Sequence, residues 1–337
     1  MNRICFLFFT LTVAQLSAFS QQSDTKTPQE TARAFTRQGD YTNALVVLNE
    51  ALKKDPQNLE LSKDLAFNYY LEKEYGKGTT IAKALTERPD ADVASYQILA
   101  LIYKAIDQFK ECEKLYRTGI RRFPKSGVLY NEYGEMLWSR DDHDAIKQWE
   151  KGIQIDPNYS TNYYNASRYY FARDRVWSLV YGEVFLNLES YSKRTAEIKE
   201  LLLEGYKKMF TDVDLQKNED VNNPFVGAYL NVISKLGFTL AQGISTESLT
   251  VLRTKFILNW FETYPANYPL RLFDYERQLL KEGMFDAYNQ WLFGTTENLT
   301  VFQAWCTAHS DEYTRFINFQ KGRIFKLPEG QYYQTLK

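Results

Sequence analysis

The sequence predicts an all-α protein, a solenoid of helix-turn-helix units followed by an additional all-helical C-terminal layer. Three observations carry that prediction. Small residues recur every 34 positions, at Ala32, Ala66, Ala100 and Gly134, and prolines keep step behind them at Pro56, Pro89, Pro124 and Pro157. Only 16 glycines and 9 prolines occur in 337 residues, against 25 tyrosines, 22 phenylalanines and 6 tryptophans, which excludes a disordered or collagen-like chain. The 41 basic and 42 acidic residues nearly cancel, so no global field draws the chain to nucleic acid or to an anionic membrane.

Residues 1–20 read as a signal peptide. Arg3 is their one charge, an apolar run from Ile4 to Phe9 continues with interruptions to Phe19, and the small residues Ala18 and Ser20 precede Gln21 as in a cleavage site. Thr10, Thr12, Gln15 and Ser17 interrupt the run too often for a membrane span, and Gln21 stands where a lipid-bearing cysteine would be needed. The expectation is export, to the periplasm of a Gram-negative cell, with no membrane span or lipid anchor. Cys112 and Cys306 then remain, and a helical core position accounts for Cys112 better than a disulfide does.

The repeated units come next. Three residues after each small residue of the first helix stands a large one, Phe35, Tyr69, Tyr103 or Leu137, on the same helical face. In the second helix a small residue lies five positions before the proline (Ala51, Ala84, Gly119, Gly152), and a large one eight before it (Leu48, Ile81, Tyr116, Trp149). Small residues let paired helix backbones approach, large ones fill the groove beside them, and proline stops the second helix.

These residues resemble the tetratricopeptide repeat, a 34-residue helix-turn-helix family. Residues 25–58 match best, with Gln38-Gly39-Asp40-Tyr41 at the inter-helix turn and Asp55-Pro56 closing the unit; the frame continues at 59–92, 93–126 and 127–159. His143 falls where Tyr75 does and reads as a packed stand-in for the turn aromatic. A fifth unit at 160–192 keeps Tyr163, Ser167 and Tyr170 but lacks the closing proline, giving a repeat domain over 21–192. The resemblance implies partner binding rather than catalysis.

Beyond residue 193 the period fades into a helical C-terminal domain, 193–337, with degenerate repeat-like hairpins. Ile198, Leu201, Leu202 and Met209 form one stripe, Pro224 opens a helix, and Leu249, Leu252, Phe256 and Trp260 form another stripe. Lys281-Glu282-Gly283-Met284-Phe285-Asp286 is similar to the first repeat's turn and predicts a hairpin over 268–293. Trp305, Cys306, His309, Tyr313 and Phe316 are expected on one side of a single final helix.

Chemical motifs are few. No Gly-rich phosphate loop, H-E-x-x-H or C-x-x-C occurs, so neither a cofactor nor a metal is expected. Asp212-Val213-Asp214-Leu215-Gln216 resembles the start of a calcium loop, but Lys217 and Asn223 stand where glycine and glutamate are required. Cys306 and His309 have helical spacing for a thiolate-imidazole pair, yet bulky flanks favour two core residues. Function is therefore sought in the concave groove, which the resemblance places on positions 2, 5, 9 and 12 of each first helix. Those positions hold five cations (Lys26, Arg33, Lys63, Lys104, Arg168) and two anions (Glu60, Glu135), with aromatics between them. The candidate partner-binding residues are Arg33, Lys63, Phe67, Tyr70, Lys104, Asn131, Trp138, Tyr164, Arg168 and Phe171. Lys63 meets the first requirement of the family's carboxylate clamp, but Phe67 stands where the clamp needs asparagine. The expectation is a non-catalytic exported adaptor for a protein or peptide, possibly acidic. A structural subunit that oligomerises through the C-terminal layer and an enzyme with its site in the C-terminal half are the alternatives.

Overall fold

A computed structural model describes residues 26–211 and 215–334; the leader with its cleavage site, and Asp212 and Asp214 of the calcium-like loop, lie outside them. Among the described residues there is no strand. The helices are α1 (Pro28–Gln38), α2 (Tyr41–Lys54), α3 (Leu59–Leu71), α4 (Tyr75–Glu87), α5 (Val93–Ala105), α6 (Phe109–Arg122), α7 (Gly127–Trp138), α8 (Ala145–Ile155), α9 (Ser160–Tyr170) and α10 (Arg175–Leu188). They continue with α11 (Thr195–Thr211), α12 (Pro224–Ile233) leading into a 3₁₀ stretch (Ser234–Leu240), α13 (Thr246–Thr263) and α14 (Arg271–Lys281). The last are α15 (Phe285–Asn289), a π-helical turn (Gln290–Gly294), α16 (Thr295–Glu297), α17 (Leu299–Ala308) and α18 (Ser310–Gly322). No helix among the described residues is long and apolar enough to cross a membrane. The chain divides into two compact units, 1–81 and 82–337.

Each repeat starts and turns for local reasons. Side chains of Thr27, Asp40, Asn58, Asp92 and Ser126 accept hydrogen bonds from backbone N–H groups of the turn that follows, satisfying donors a helix start leaves open. Between the two helices of the first four repeats one residue adopts the left-handed conformation. These are Gly39, Lys73, Asp107 and Asp141, with φ of 79°, 63°, 56° and 58°, again 34 residues apart. The fifth repeat lacks such a residue at its turn.

In the first unit Ala32, Leu48, Ala51, Leu61 and Leu65 form the core, with Leu45, Tyr69 and Ile81 packed against it. The proline frame misplaces the second repeat by one residue. Ala84 is exposed and Ile81 half-buried, whereas Ala82 and Leu85 are buried. They lie 34 residues after Leu48 and Ala51 and 34 before Tyr116 and Gly119, so packing follows the 34-residue period while Pro89, outside the helix, is free to slip.

In the second unit a Cβ on Gly134 would lie 2.4 Å from the Trp149 ring nitrogen, and one on Gly152 2.4 Å from the Asn162 amide. Trp149 is buried over Gly134, its Nε1 donating to the Asn131 carbonyl at 3.2 Å, and Asn162 donates to the Gly127 carbonyl at 3.1 Å. Helix α10 is buried on every side save its last residue. Its charges are met by partners from residue 193 onward: Arg175 pairs with Glu219 at 2.7 Å, and Glu183 shares Arg253 with Glu276. The extended tail lies back on the unit. Asn158 donates to and accepts from the Leu327 backbone at 3.1 and 2.9 Å, and Tyr333 stacks on Phe225 at 5.2 Å.

Two C-terminal expectations meet the structure differently. The hairpin turn is present, with Gly283 at φ 64° between α14 and α15. The single final helix is not. It breaks at His309 into α17 and α18, and of the five residues expected on one side of it only Phe316 is buried. Tyr313 faces Phe302 of α17 at 5.6 Å across the break.

Candidate functional site

The first unit carries its part of the expected groove on α1 and α3. Arg33 Nε lies 2.8 Å from Asp64 and its Nη2 3.4 Å from Glu60, and the Asp64 hydrogen bond raises the guanidinium pKa. Gln29 donates to the same Asp64 oxygen at 2.9 Å. Lys63 is not the open cation its position promised. It is buried, with its ammonium 2.5 Å from Glu60. Phe67 stacks on Tyr70 at 6.0 Å, and Tyr70 meets Tyr75 at 6.1 Å.

The second unit carries the rest on α5, α7, α9 and α11. Gln97 donates to Glu132 at 2.5 Å and Tyr116 to its other oxygen at 3.3 Å, while burial raises the Glu132 carboxyl pKa. Lys104 is half-buried near that carboxyl. Asn131 is buried, donating to Glu135 at 3.0 Å and accepting from Asn165 at 2.9 Å, so its amide is a strut between α7 and α9 rather than a free contact. Arg168 pairs with Glu197 of α11 at 2.8 Å, and Tyr164 donates to the same carboxylate at 2.6 Å.

At the turn end of these helices the surface is aromatic. Trp138 keeps 39% of its surface exposed; it meets Tyr169 at 5.6 Å and His143 at 5.8 Å. The exposed Arg173 guanidinium lies 4.2 Å from the Tyr169 ring centre and 5.9 Å from that of Trp138. Beside it Lys208 of α11 sits 3.8 Å over Phe171, in a recess of about 320 Å³.

Residues 35–100 match the sequence model of the tetratricopeptide repeat. Over those residues the chain carries tetratricopeptide repeats. Solved structures resemble it more loosely. TTC0263, a thermophilic TPR protein of Thermus thermophilus, is 15% identical, over 53% of this chain and 97% of that one, at a TM-score of 0.42. A structure of MamA is 22% identical over 47% and 94%, at 0.39, and a tetratricopeptide repeat protein of Parabacteroides merdae is 15% identical over 80% and 98%, at 0.36. No curated protein sequence matches the chain.

With the repeat frame in place, the charge expected of the groove is corrected. The four positions used per tetratricopeptide repeat leave out Asp64, Glu132 and Glu197, which face Arg33, Lys104 and Arg168. Asp64 and Glu132 both occupy the sixth position of their repeats, a signal the sequence held. Arg33, Lys63 and Arg168 are matched inside the chain, whereas at the turn end Arg173 and Lys208 lie over half-buried rings. Among the described residues neither forms an ion pair. Cys306 and His309 form no hydrogen bond with each other among the described residues. His309 is exposed, stacks on Trp305 at 4.5 Å and sets Nδ1 3.0 Å from the Trp305 carbonyl, and burial pushes the Cys306 thiol up. Nor are they core residues, because α17 buries none of its side chains.

Proposed function

We propose that the chain is an exported, non-catalytic scaffold that holds a protein partner against the turn end of its repeat helices. The repeat family supports a protein-interaction role. The observation that carries the choice of surface is the cluster of half-exposed rings Trp138, Tyr169 and Phe171 with Arg173 and Lys208 laid over them. Rigid aromatic area and fork-shaped or mobile cations suit an extended segment bearing carboxylates. Export rests on the Arg3, apolar-run and Ala18/Ser20 pattern, and places the partner in the periplasm.

A photo-crosslinker at position 138 or 171 should capture that partner, and calorimetry then tests the contact. Arg173→Glu with Lys208→Glu replaces two attractions by two repulsions and should weaken binding on the order of 100-fold, with melting unchanged because both side chains are exposed. Equal affinity in the double reversal would remove this surface from the account. N-terminal sequencing of the processed protein should begin within a few residues of Gln21; retention of Met1 would remove export.

A further inference from the structure

A cleft in the second unit lies away from the repeat surface, between the start of α13, the π-helical turn and α17, with a volume of about 540 Å³. That is the size of ordinary ligand pockets. Three carboxylates line it, Glu247, Asp286 and Glu297, with one imidazole, His309, stacked on Trp305; no lysine or arginine does. None of the three is in an ion pair among the described residues. Glu297 accepts from both the backbone N–H and the hydroxyl of Thr246, so the anion-attracting end of α13 is already occupied by the chain's own carboxylate. What remains unneutralised is negative.

A second, independent feature sits at the base of the cleft. Gln290 is 8% exposed, and its amide forms no hydrogen bond with any described residue. Its polar end reaches the cleft rather than being sealed from it. Its Oε1 lies over Gly294, where a Cβ would come within 2.6 Å of it and within 2.6 Å of the Phe302 ring. Only glycine leaves room for that amide. Gln290 opens the π-helical turn, and such turns concentrate at functional sites. Open to the cleft and without a partner among the described residues, that amide oxygen can accept from a donor that enters. The third wall is apolar: Val301 is 58% exposed and Trp305 half-buried, on a helix that buries nothing.

We propose that this cleft binds the basic side chain, arginine above all, of a polypeptide segment. A guanidinium carries five N–H donors in one plane and no acceptor. It can pack beside Trp305, one face of which His309 covers, donate to Gln290 Oε1 and meet Glu247 and Asp286, while its methylene stem covers Val301 and Phe302. An anion would face three carboxylates, and a purely apolar group would leave the Gln290 amide unpaired.

The test titrates the processed chain by calorimetry with end-capped pentapeptides Gly-Ala-X-Ala-Gly, X being arginine, citrulline or glutamate. Citrulline keeps the shape and the hydrogen bonding of arginine and loses its charge. The arginine peptide should bind at least about 10-fold tighter than the citrulline peptide, and the glutamate peptide weakest of all. Glu247→Gln with Asp286→Asn should remove that preference while leaving melting unchanged, since both carboxylates are exposed. Gln290→Met should weaken arginine binding several-fold; if that variant does not fold, the double variant decides alone. Equal binding of arginine and citrulline, or a preference that survives the double variant, overturns the proposal. Agmatine binding as tightly as the peptide would overturn the polypeptide part of it and leave a small-cation site.

Discussion

Lys73 shows what the repeat demands of single residues. It occupies the left-handed turn position that Gly39 fills in the first repeat, at φ 63° against 79°, and a Cβ in that region costs roughly 1–2 kcal/mol. Lys73→Gly should therefore stabilise the chain by about 1 kcal/mol after the added freedom of the unfolded glycine is subtracted, and Gly39→Ala should destabilise it by a similar amount. Urea titration checks both, and a loss of stability in Lys73→Gly would contradict the turn geometry. Trp149 tests the packing side of the same frame. Its ring lies where a Gly134 Cβ would be, so Trp149→Ala should cost about 3–5 kcal/mol, and Gly152→Leu should destabilise by driving into Asn162. If both variants melt with the wild type, the helix pairs are held by something other than these contacts.

Helix α8 gives the element-scale case, because it carries a carboxyl into an apolar setting. Glu150 is buried, accepts from the Tyr170 hydroxyl at 2.6 Å, and burial pushes its pKa up to about 7 from an ordinary 4.5. The tail closes this setting, since Gln334 donates to the same Tyr170 hydroxyl at 2.7 Å. A carboxyl whose folded pKa exceeds its unfolded one stabilises the fold when protonated. That contribution is complete below the unfolded value and is lost as pH rises through about 7. Relative to Glu150→Gln, which does not titrate, the wild type should gain about 2–3 kcal/mol on going from pH 8 to pH 5. Parallel stability profiles for the two proteins would show that the Glu150 carboxyl ionises as freely in the fold as in the unfolded chain.

For the second unit as a whole, the tail is a structural member. Phe325 and Leu327 are buried, Gln331 accepts from the Arg271 N–H at 2.7 Å, and Tyr333 stacks on Phe225. A chain ending at Gly322 should lose about 3–6 kcal/mol from the two buried side chains alone and expose apolar surface around Phe225. Denaturant unfolding and dye binding measure both effects; an unchanged midpoint would mean that the tail rests on a surface complete without it. The scaffold reading belongs to the same scale, because Trp138, Arg173 and Lys208 come from three elements, α7, the turn after α9, and α11.

The sequence by itself determined the repeated helix pairs, because each needs only a local cap, a turn and a small residue opposite a large one, all within 34 residues. Ala32, Ala66, Ala100 and Gly134 are buried where the spacing put them. It erred where the marker lay outside the packed helix, as when Pro89 drew the frame to Ala84 instead of Leu85. Tertiary structure alone decided how charges are matched. Arg253 meets Glu183 and Glu276, 70 and 23 residues away, and Arg168 meets Glu197 on another helix. No period links such partners, and an ion pair depends on distance in space rather than along the chain. For that reason three of the five cations read as a basic groove, Arg33, Lys63 and Arg168, proved to be matched within the fold, while the unpaired acidic cleft beside Gln290 went unseen until α13, the π-helical turn and α17 were brought together.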